Sequence, residues 1–251
     1  MELYLITGFL GAGKTTFLKN FARQFAGRRL RLIINEFGRA GVDGTLLREL
    51  DAALDEISNG SIFCACRLDQ FEAALEQAAA DAPDVVLVEA SGLADPTNVR
   101  RVLAQFPAVS YQGSVCVADA ARLEKVFSTA RACPRQLAVS SLVLLNKTDL
   151  ATEAQCAEAK ALILRANPAA RLRRTQFGRF EPEWLSLIVP DVDVDEVLDM
   201  PDITLQKAVL QIRPTMPFTA LQKCLVQLAG ETWRIKGFVR VPEGIFYVDC
   251  T

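Results

Sequence analysis

The segment Gly8-Phe9-Leu10-Gly11-Ala12-Gly13-Lys14-Thr15-Thr16 follows the apolar run Leu3 to Ile6 and opens an amphipathic stretch reaching about Phe25. Its G-x-x-x-x-G-K-[ST] pattern, set between a strand and a helix, is that of a phosphate-binding loop. The glycines let consecutive backbone N–H groups of Gly11, Ala12 and Gly13 turn inward around a phosphate. Lys14 brings a point charge to the β- and γ-phosphates, and the Thr15 hydroxyl, with Thr16 beside it, can face Mg²⁺. The dipole of the helix beginning at Lys14 adds to the same attraction.

Outward from this loop, short apolar runs alternate with longer amphipathic segments, the pattern of a mostly parallel sheet flanked by helices. Strands are expected near Leu3 to Thr7, Leu30 to Asn35, Val85 to Glu89, Ser114 to Asp119, Leu142 to Asn146 and Arg171 to Gln176. Helices are expected at Lys14 to Phe25, Leu68 to Ala80, Pro96 to Gln105, Ala121 to Cys133 and Thr152 to Asn167. The fold class is therefore α/β of the phosphate-loop NTPase type, with the polar signals gathered at the carboxyl ends of the strands, where ligands bind in such sheets. Prolines 182, 190 and 201 and the acidic run Asp191 to Asp199 mark a linker. The expected division is a nucleotide-binding domain over 1–180, a linker over 181–202 and a small α+β appendage over 203–251. Within the appendage a helix is expected at Pro217 to Ala229, and strands at Thr232 to Val241 and Ile245 to Val248.

Composition narrows the function classes. The 251 residues carry 28 Lys and Arg against 30 Asp and Glu, a net charge of −2, which argues against a nucleic-acid partner. No run is long and apolar enough to span a bilayer, and the chain enters a strand directly, so neither a membrane partner nor a signal peptide is expected and the expected location is cytoplasmic. The seven cysteines are odd in number and scattered apart from Cys64 and Cys66, which is unlike a disulfide framework; Cys116, inside an apolar run, reads as a small buried hydrophobe. With no histidine anywhere, a metal site or general base must be built from thiolates, carboxylates, lysine, tyrosine, water or the nucleotide.

Three further constellations carry chemistry. The run Val85 to Val88 ends in Glu89-Ala90-Ser91-Gly92, which delivers a carboxylate suited to Mg²⁺ and a glycine N–H suited to the γ-phosphate. The run Leu142 to Leu145 ends in Asn146-Lys147-Thr148-Asp149. Asp149 can accept from the guanine ring N–H and exocyclic amine, whereas adenine presents an acceptor at the ring position; Lys147 can lay its stem over the base and Asn146 can brace the turn. After the second strand, Asn35 to Gly44 is polar and glycine-punctuated, with Glu36 and Asp43 as candidates for Mg²⁺ or water positioning; an ordinary surface loop accounts for it equally well. Finally, Cys64-Ala65-Cys66-Arg67 places two thiols where they can chelate a soft metal ion once deprotonated, with a reduced, metal-free pair as the alternative.

Taken in order, Gly8 to Thr16, Asn35 to Gly44, Asn59 to Cys66, Glu89 to Pro96 and Asn146 to Asp149 resemble the CobW branch of the GTPases that also include UreG and HypB. Trp233 to Val239 similarly resembles the R-x-K-G strand of the CobW C-terminal domain. The resemblance implies a GTPase of low intrinsic rate whose nucleotide state controls delivery of a metal ion or metal cofactor, commonly zinc or cobalt, to a client metalloprotein. By the same resemblance Gly11, Gly13, Lys14, Thr15 and Thr16 bind phosphate and Mg²⁺, Glu89 serves the Mg²⁺, and Asn146, Lys147 and Asp149 read guanine. Lys14, Asp43 and Glu89 are the expected catalytic set, and Thr15, Glu89, Glu36, Cys64 and Cys66 the expected metal-facing one. The chain departs from the family where G-C-I-C-C is usual: Gly60 is followed by Ser61, Ile62, Phe63 and Cys64, so one cysteine matches and Cys66 is an addition. Arg39 replaces a frequent acidic residue, and the stretch ending at Thr251 is shorter than the usual C-terminal domain. The competing readings are a metal-free GTP-switched interaction module and an ATP-dependent small-molecule kinase. A homodimer sharing Cys64 and Cys66 between two chains is a further expectation.

Overall fold

The computed structural model describes residues 1–36, 52–58, 62, 68–190, 210–212, 216–232 and 235–250. The chain divides into two compact units, Met1–Ile203 and Thr204–Thr251.

In the first unit the strands are β1 (Glu2–Thr7), β2 (Leu30–Glu36), β3 (Ala53–Ser58), β4 (Val85–Glu89), β5 (Ser110–Asp119), β6 (Leu142–Asn146) and β7 (Arg171–Arg174). Among the described residues they form one parallel sheet in the order β3-β2-β4-β1-β5-β6-β7. The helices are α1 (Lys14–Ala22), α2 (Leu68–Asp81), α3 (Val99–Leu103), α4 (Leu123–Thr129), α5 (Ala132–Ala138) and α6 (Glu153–Ala166). β4 and β6 are buried at every position because helices cover both faces of the sheet, which is why they read as unbroken apolar runs.

Period-two alternation assigns the β1 side chains to two cores. Tyr4 and Ile6 join Phe17, Phe21 and Phe25 beneath α1 and the short 3₁₀ turn Arg23–Phe25, whereas Leu3 and Leu5 join Phe71, Leu75, Val86 and Val88 on the α2 side. Under α1 the Phe17 and Phe21 rings stack at 5.2 Å and Phe180 meets Phe21 edge-on at 4.8 Å. This aromatic layer anchors the helix that carries the phosphate loop.

The strand β3 was not expected. Asp55 and Glu56 interrupt its apolar pattern, but it lies at the sheet edge, where one flank needs no partner strand, and Arg31 of β2 neutralises Asp55 through Nε to Oδ2 at 2.6 Å and Nη2 to Oδ1 at 2.9 Å. Arg31 also pairs with Asp81. The single helix expected over Ala121 to Cys133 is two, α4 and α5, because Ala130 is extended at φ −126°, ψ 105°. Part of 182–188, expected within the linker, instead packs into the first unit. Pro182–Leu187 forms a 3₁₀ turn, Ile188 is buried in the same core cluster as Phe180, the Trp184 ring meets Phe180 edge-on, and Leu185 and Leu187 pack against that cluster. The acidic run Asp191 to Asp199 lies outside the described residues.

The second unit contains α7 (Phe218–Glu231) and the antiparallel hairpin β8 (Ile235–Val241) and β9 (Gly244–Cys250). These are the helix and two strands expected for an α+β appendage; residues 203–209 before them lie outside the described residues.

Candidate functional site

The carboxyl ends of β1, β4, β6 and β7 converge on the amino end of α1. Lys14, almost wholly buried, donates from Nζ to the Phe9 carbonyl at 3.2 Å, so its ammonium is folded back along the loop. Gly13 precedes the helix at φ +100°, a left-handed conformation that only glycine adopts without strain, and a Cβ there would stand 2.6 Å from Asn146 Nδ2. The Thr15 hydroxyl donates to Glu89 Oε1 at 3.1 Å, which brings together residues that sequence separates by 74 positions. A hydroxyl and a carboxylate side by side are the hard oxygen donors that Mg²⁺ requires. Thr7 at the end of β1 and Ser91 beyond β4 have buried hydroxyls without a hydrogen-bond partner among the described residues, as expected where polar ligand atoms complete the site. The residues present therefore fit a Mg²⁺-bound phosphate chain. Thr16 is exposed on the first turn of α1.

The segment after Glu89 is held from the side of α5. Gln136, fully buried, donates from Nε2 to the carbonyls of Gly92 at 3.1 Å and Ala94 at 2.9 Å, and Arg135 pairs with Asp95.

At the other end of the site, Asn146 is a two-sided brace. Its Nδ2 donates to the Ala12 carbonyl at 2.9 Å, and its Oδ1 accepts from the Gly178 amide at 3.0 Å. Lys147 adopts the left-handed φ of 59°, and its Nζ pairs with Asp119 Oδ2 at 2.9 Å. Asp149 sits in the short 3₁₀ turn Thr148–Leu150, whose Thr148 hydroxyl donates to the Thr175 carbonyl at 3.1 Å. Asn20 of α1 donates to the carbonyls of Phe177 at 3.1 Å and Gly178 at 2.9 Å. Gly178, at φ +61°, lies so close to α1 that a Cβ would stand 2.7 Å from Phe17 N.

Asp119, Asn20 and Gly178 were missed in the sequence. Asp119 ends the buried run of β5 just as Glu89 ends β4, a signal that was present; Asn20 and the Thr175-to-Arg179 turn have no motif of their own and acquire meaning only from the bonds of Asn20 to Phe177 and Gly178 and of Gly178 to Asn146.

Glu36 closes β2, but its side chain, Asp43, Cys64 and Cys66 lie outside the described residues. Among the described residues no group of three or more cysteine, aspartate or glutamate side chains is placed to hold a metal ion. Burial pushes the Cys116 thiol up to about 12 despite the opposing charge of Lys14. Burial, with Cys116 beside it, likewise raises Cys133 well above its ordinary value, so both stay neutral thiols.

The model of the CobW/HypB/UreG nucleotide-binding domain matches residues 2–174. The chain belongs to this family. The CobW/HypB/UreG match covers every strand of the large sheet. Among curated relatives, the chain is 32% identical over 206 residues to the zinc chaperone CobW of Pseudomonas aeruginosa, covering 68% of this chain and 55% of that protein. It is 26% identical over 226 residues to the zinc chaperone YjiA of Escherichia coli, covering 86% and 66%. The chain thus spans about half to two thirds of the length of these CobW-family relatives. Of solved structures, the zinc-bound YjiA GTPase from E. coli superposes with a TM-score of 0.53 at 19% identity over 99% of this chain and 88% of that one. The hydrogenase maturation factor HypB from Archaeoglobus fulgidus gives 0.50 at 21% identity over 74% and 87%. At those identities the likeness is one of fold. No helix among the described residues is long and apolar enough to cross a membrane.

Proposed function

We propose that this chain binds Mg²⁺ and GTP, hydrolyses the nucleotide slowly, and uses its nucleotide state to govern the handling of a metal ion for a client metalloprotein. The observation that carries the nucleotide part is the Asn146 brace, which joins the phosphate loop at Ala12 to the turn at Gly178 beside the N-K-x-D segment. A base read at Asp149 and phosphates held at Gly13 are thereby parts of one pre-organised site.

In this reading the backbone of Gly11, Ala12, Gly13, Lys14, Thr15 and Thr16 cradles the phosphates, and the Gly92 N–H faces the γ-phosphate. Thr15 and Glu89 hold the Mg²⁺, which when bound neutralises charge developing on the β/γ oxygens. Asn146, Lys147 and Asp149 select guanine. Because Lys147 is engaged by Asp119, its stem is held in one place, which favours its use as one wall of the base pocket. Asp43 or Glu36 orients the attacking water, and Cys64 with Cys66 holds the cargo. The relatives named zinc chaperones support Zn²⁺ as that cargo, with Co²⁺ the other candidate. The nucleotide domain, extended by the packed part of 182–188, would act through the rest of the connection up to 202 on a C-terminal domain over 203–251 that meets the client, in the cytoplasm, with a homodimer sharing the thiols.

One observation favours a second reading, a GTP switch that carries no metal: the usual G-C-I-C-C is matched here by a single cysteine. Titration of anaerobically purified protein with Zn²⁺ and Co²⁺, with GTP and without, separates the two. Stoichiometric binding lost in Cys64→Ser/Cys66→Ser supports the metal reading; absence of binding supports the metal-free switch. A preference for ATP over GTP, or hydrolysis unaffected by Lys14→Ala, would overturn the nucleotide assignment itself.

A further inference from the structure

Asn35, near the carboxyl end of β2 and 1% exposed, divides one amide among three segments. Its Nδ2 donates to the Ile57 carbonyl of β3 at 3.1 Å. Its Oδ1 accepts from two backbone amides, Ile62 at 3.0 Å and Ser91 at 3.3 Å. Ile62 is fully buried in the core on the α2 side, and in sequence it precedes Cys64 by two positions. Ser91 lies two positions beyond Glu89, the carboxylate that accepts from Thr15.

An amide oxygen has two lone pairs, and both are committed here. The two N–H donors therefore share one acceptor in a dry setting, where each bond depends on the polarisation left by the other. The Ser91 bond is the longer and yields first to a small displacement. We infer that Asn35 is a positioning residue that couples the turn after β4 to the anchor at Ile62. When a γ-phosphate draws the Ser91–Gly92 turn toward itself, Ser91 N–H recedes from Oδ1, and the bond from Ile62 N–H to the same oxygen strengthens. Ile62 is then held more firmly in the triphosphate state than in the diphosphate state. This coupling rests on the GTP reading proposed above and adds to it the route by which the phosphate end reaches the segment leading to Cys64.

Hydrogen exchange on the full chain, read by mass spectrometry on peptides containing Ile62 and Ser91, tests the inference with GDP and with a non-hydrolysable GTP analogue. In the wild type the Ile62 amide should exchange roughly threefold to tenfold more slowly with the GTP analogue, the protection expected from strengthening a single hydrogen bond. In Asn35→Ala the Ile62 amide should exchange fast with either nucleotide while the Ser91 peptide still responds. Asn35→Asp keeps both acceptor bonds but loses the donor to the Ile57 carbonyl, so it should retain the difference between nucleotides at Ile62 at a lower overall stability. A bracing role alone would lower stability in both variants and leave the difference between nucleotides untouched. Equal Ile62 exchange in the two wild-type states with a responsive Ser91 peptide, or an unchanged Ile62 response in Asn35→Ala, overturns the coupling alone. If neither peptide responds because neither nucleotide binds, the GTP reading falls with it.

Discussion

The side-chain amide of Asn146 fills the space that a Cβ on Gly13 would take, 2.6 Å from Nδ2, and from there it donates 2.9 Å to the carbonyl of Ala12. The phosphate loop and the base-reading turn are thus built against each other, and the loop cannot accept a side chain at Gly13 without expelling the brace.

Gly13→Ala therefore combines a left-handed backbone with a collision, a strain of about 1–3 kcal/mol before any loss of ligand contacts. Asn146→Ala removes two hydrogen bonds, each worth about 1 kcal/mol net, and should weaken GTP and GDP together by roughly tenfold to thirtyfold. Equilibrium titration with fluorescent GTP and GDP measures both; a loss confined to GTP would show that the brace acts on the γ-phosphate instead.

Glu89→Gln is expected to preserve the contact with Thr15, since the new amide oxygen can still accept from the hydroxyl now 3.1 Å from Oε1. What it removes is the negative charge offered to Mg²⁺. The Mg²⁺ concentration giving half-maximal hydrolysis should rise about tenfold, equivalent to about 1.4 kcal/mol. Thr15→Ala should raise the same requirement while leaving Glu89 charged. Hydrolysis in EDTA should fall to background for all three proteins.

How far the chain could be read in advance depended on whether a residue's role was local. Gly8 to Thr16, Glu89 and Asn146 to Asp149 announce themselves because a phosphate loop, a strand-end carboxylate and an N-K-x-D turn each need a fixed local spacing. Five of the six expected strands read well because burial on both faces makes them largely apolar, whereas β7, with the sequence RLRR and mostly exposed at the sheet edge, carries no such signal. β3 escaped because Asp55 is neutralised by Arg31, 24 positions away, and Glu56 faces solvent at the sheet edge. Asn20 and Gly178 escaped for the same reason: neither belongs to a motif, and their meaning is a hydrogen bond across 158 positions. The 182–188 segment reads as a linker because Pro182 and Pro190 are visible in the sequence and the core cluster that takes up Ile188 is not.

Asp149→Asn should change which base is bound rather than whether one is. Guanine offers a ring N–H and an exocyclic amine, both donors, to a carboxylate; the side-chain amide introduced by the substitution meets one of them with a donor of its own. Xanthine carries a carbonyl in place of the amine and complements that amide. GTP affinity should fall about a hundredfold or more, with XTP overtaking it, as follows when a site built to pair a donor is left facing the wrong group. Competition between GTP, XTP and ATP for the variant measures the switch, and retained GTP preference would remove Asp149 from the base pocket.

The pairing of Asp95 with Arg135 gives the segment after Glu89 a pH dependence of defined sign. Burial alone would raise the Asp95 carboxyl, but the Thr97 hydroxyl, the Arg135 guanidinium and the Thr97 amide together outweigh it and hold the carboxyl below its ordinary value of 3.8. A carboxyl depressed in the folded state stabilises above its unfolded pKa, and that contribution disappears as pH falls through the lower folded value. Because the pair is partly exposed, at 22% for Arg135 and 38% for Asp95, the contribution should stay near 1 kcal/mol or below. Urea unfolding of the wild type and Asp95→Asn should therefore differ by about that amount at pH 7 and converge as the pH drops below about 4. A difference that persists undiminished into that acid range would assign the effect to lost hydrogen bonding with Thr97 rather than to charge.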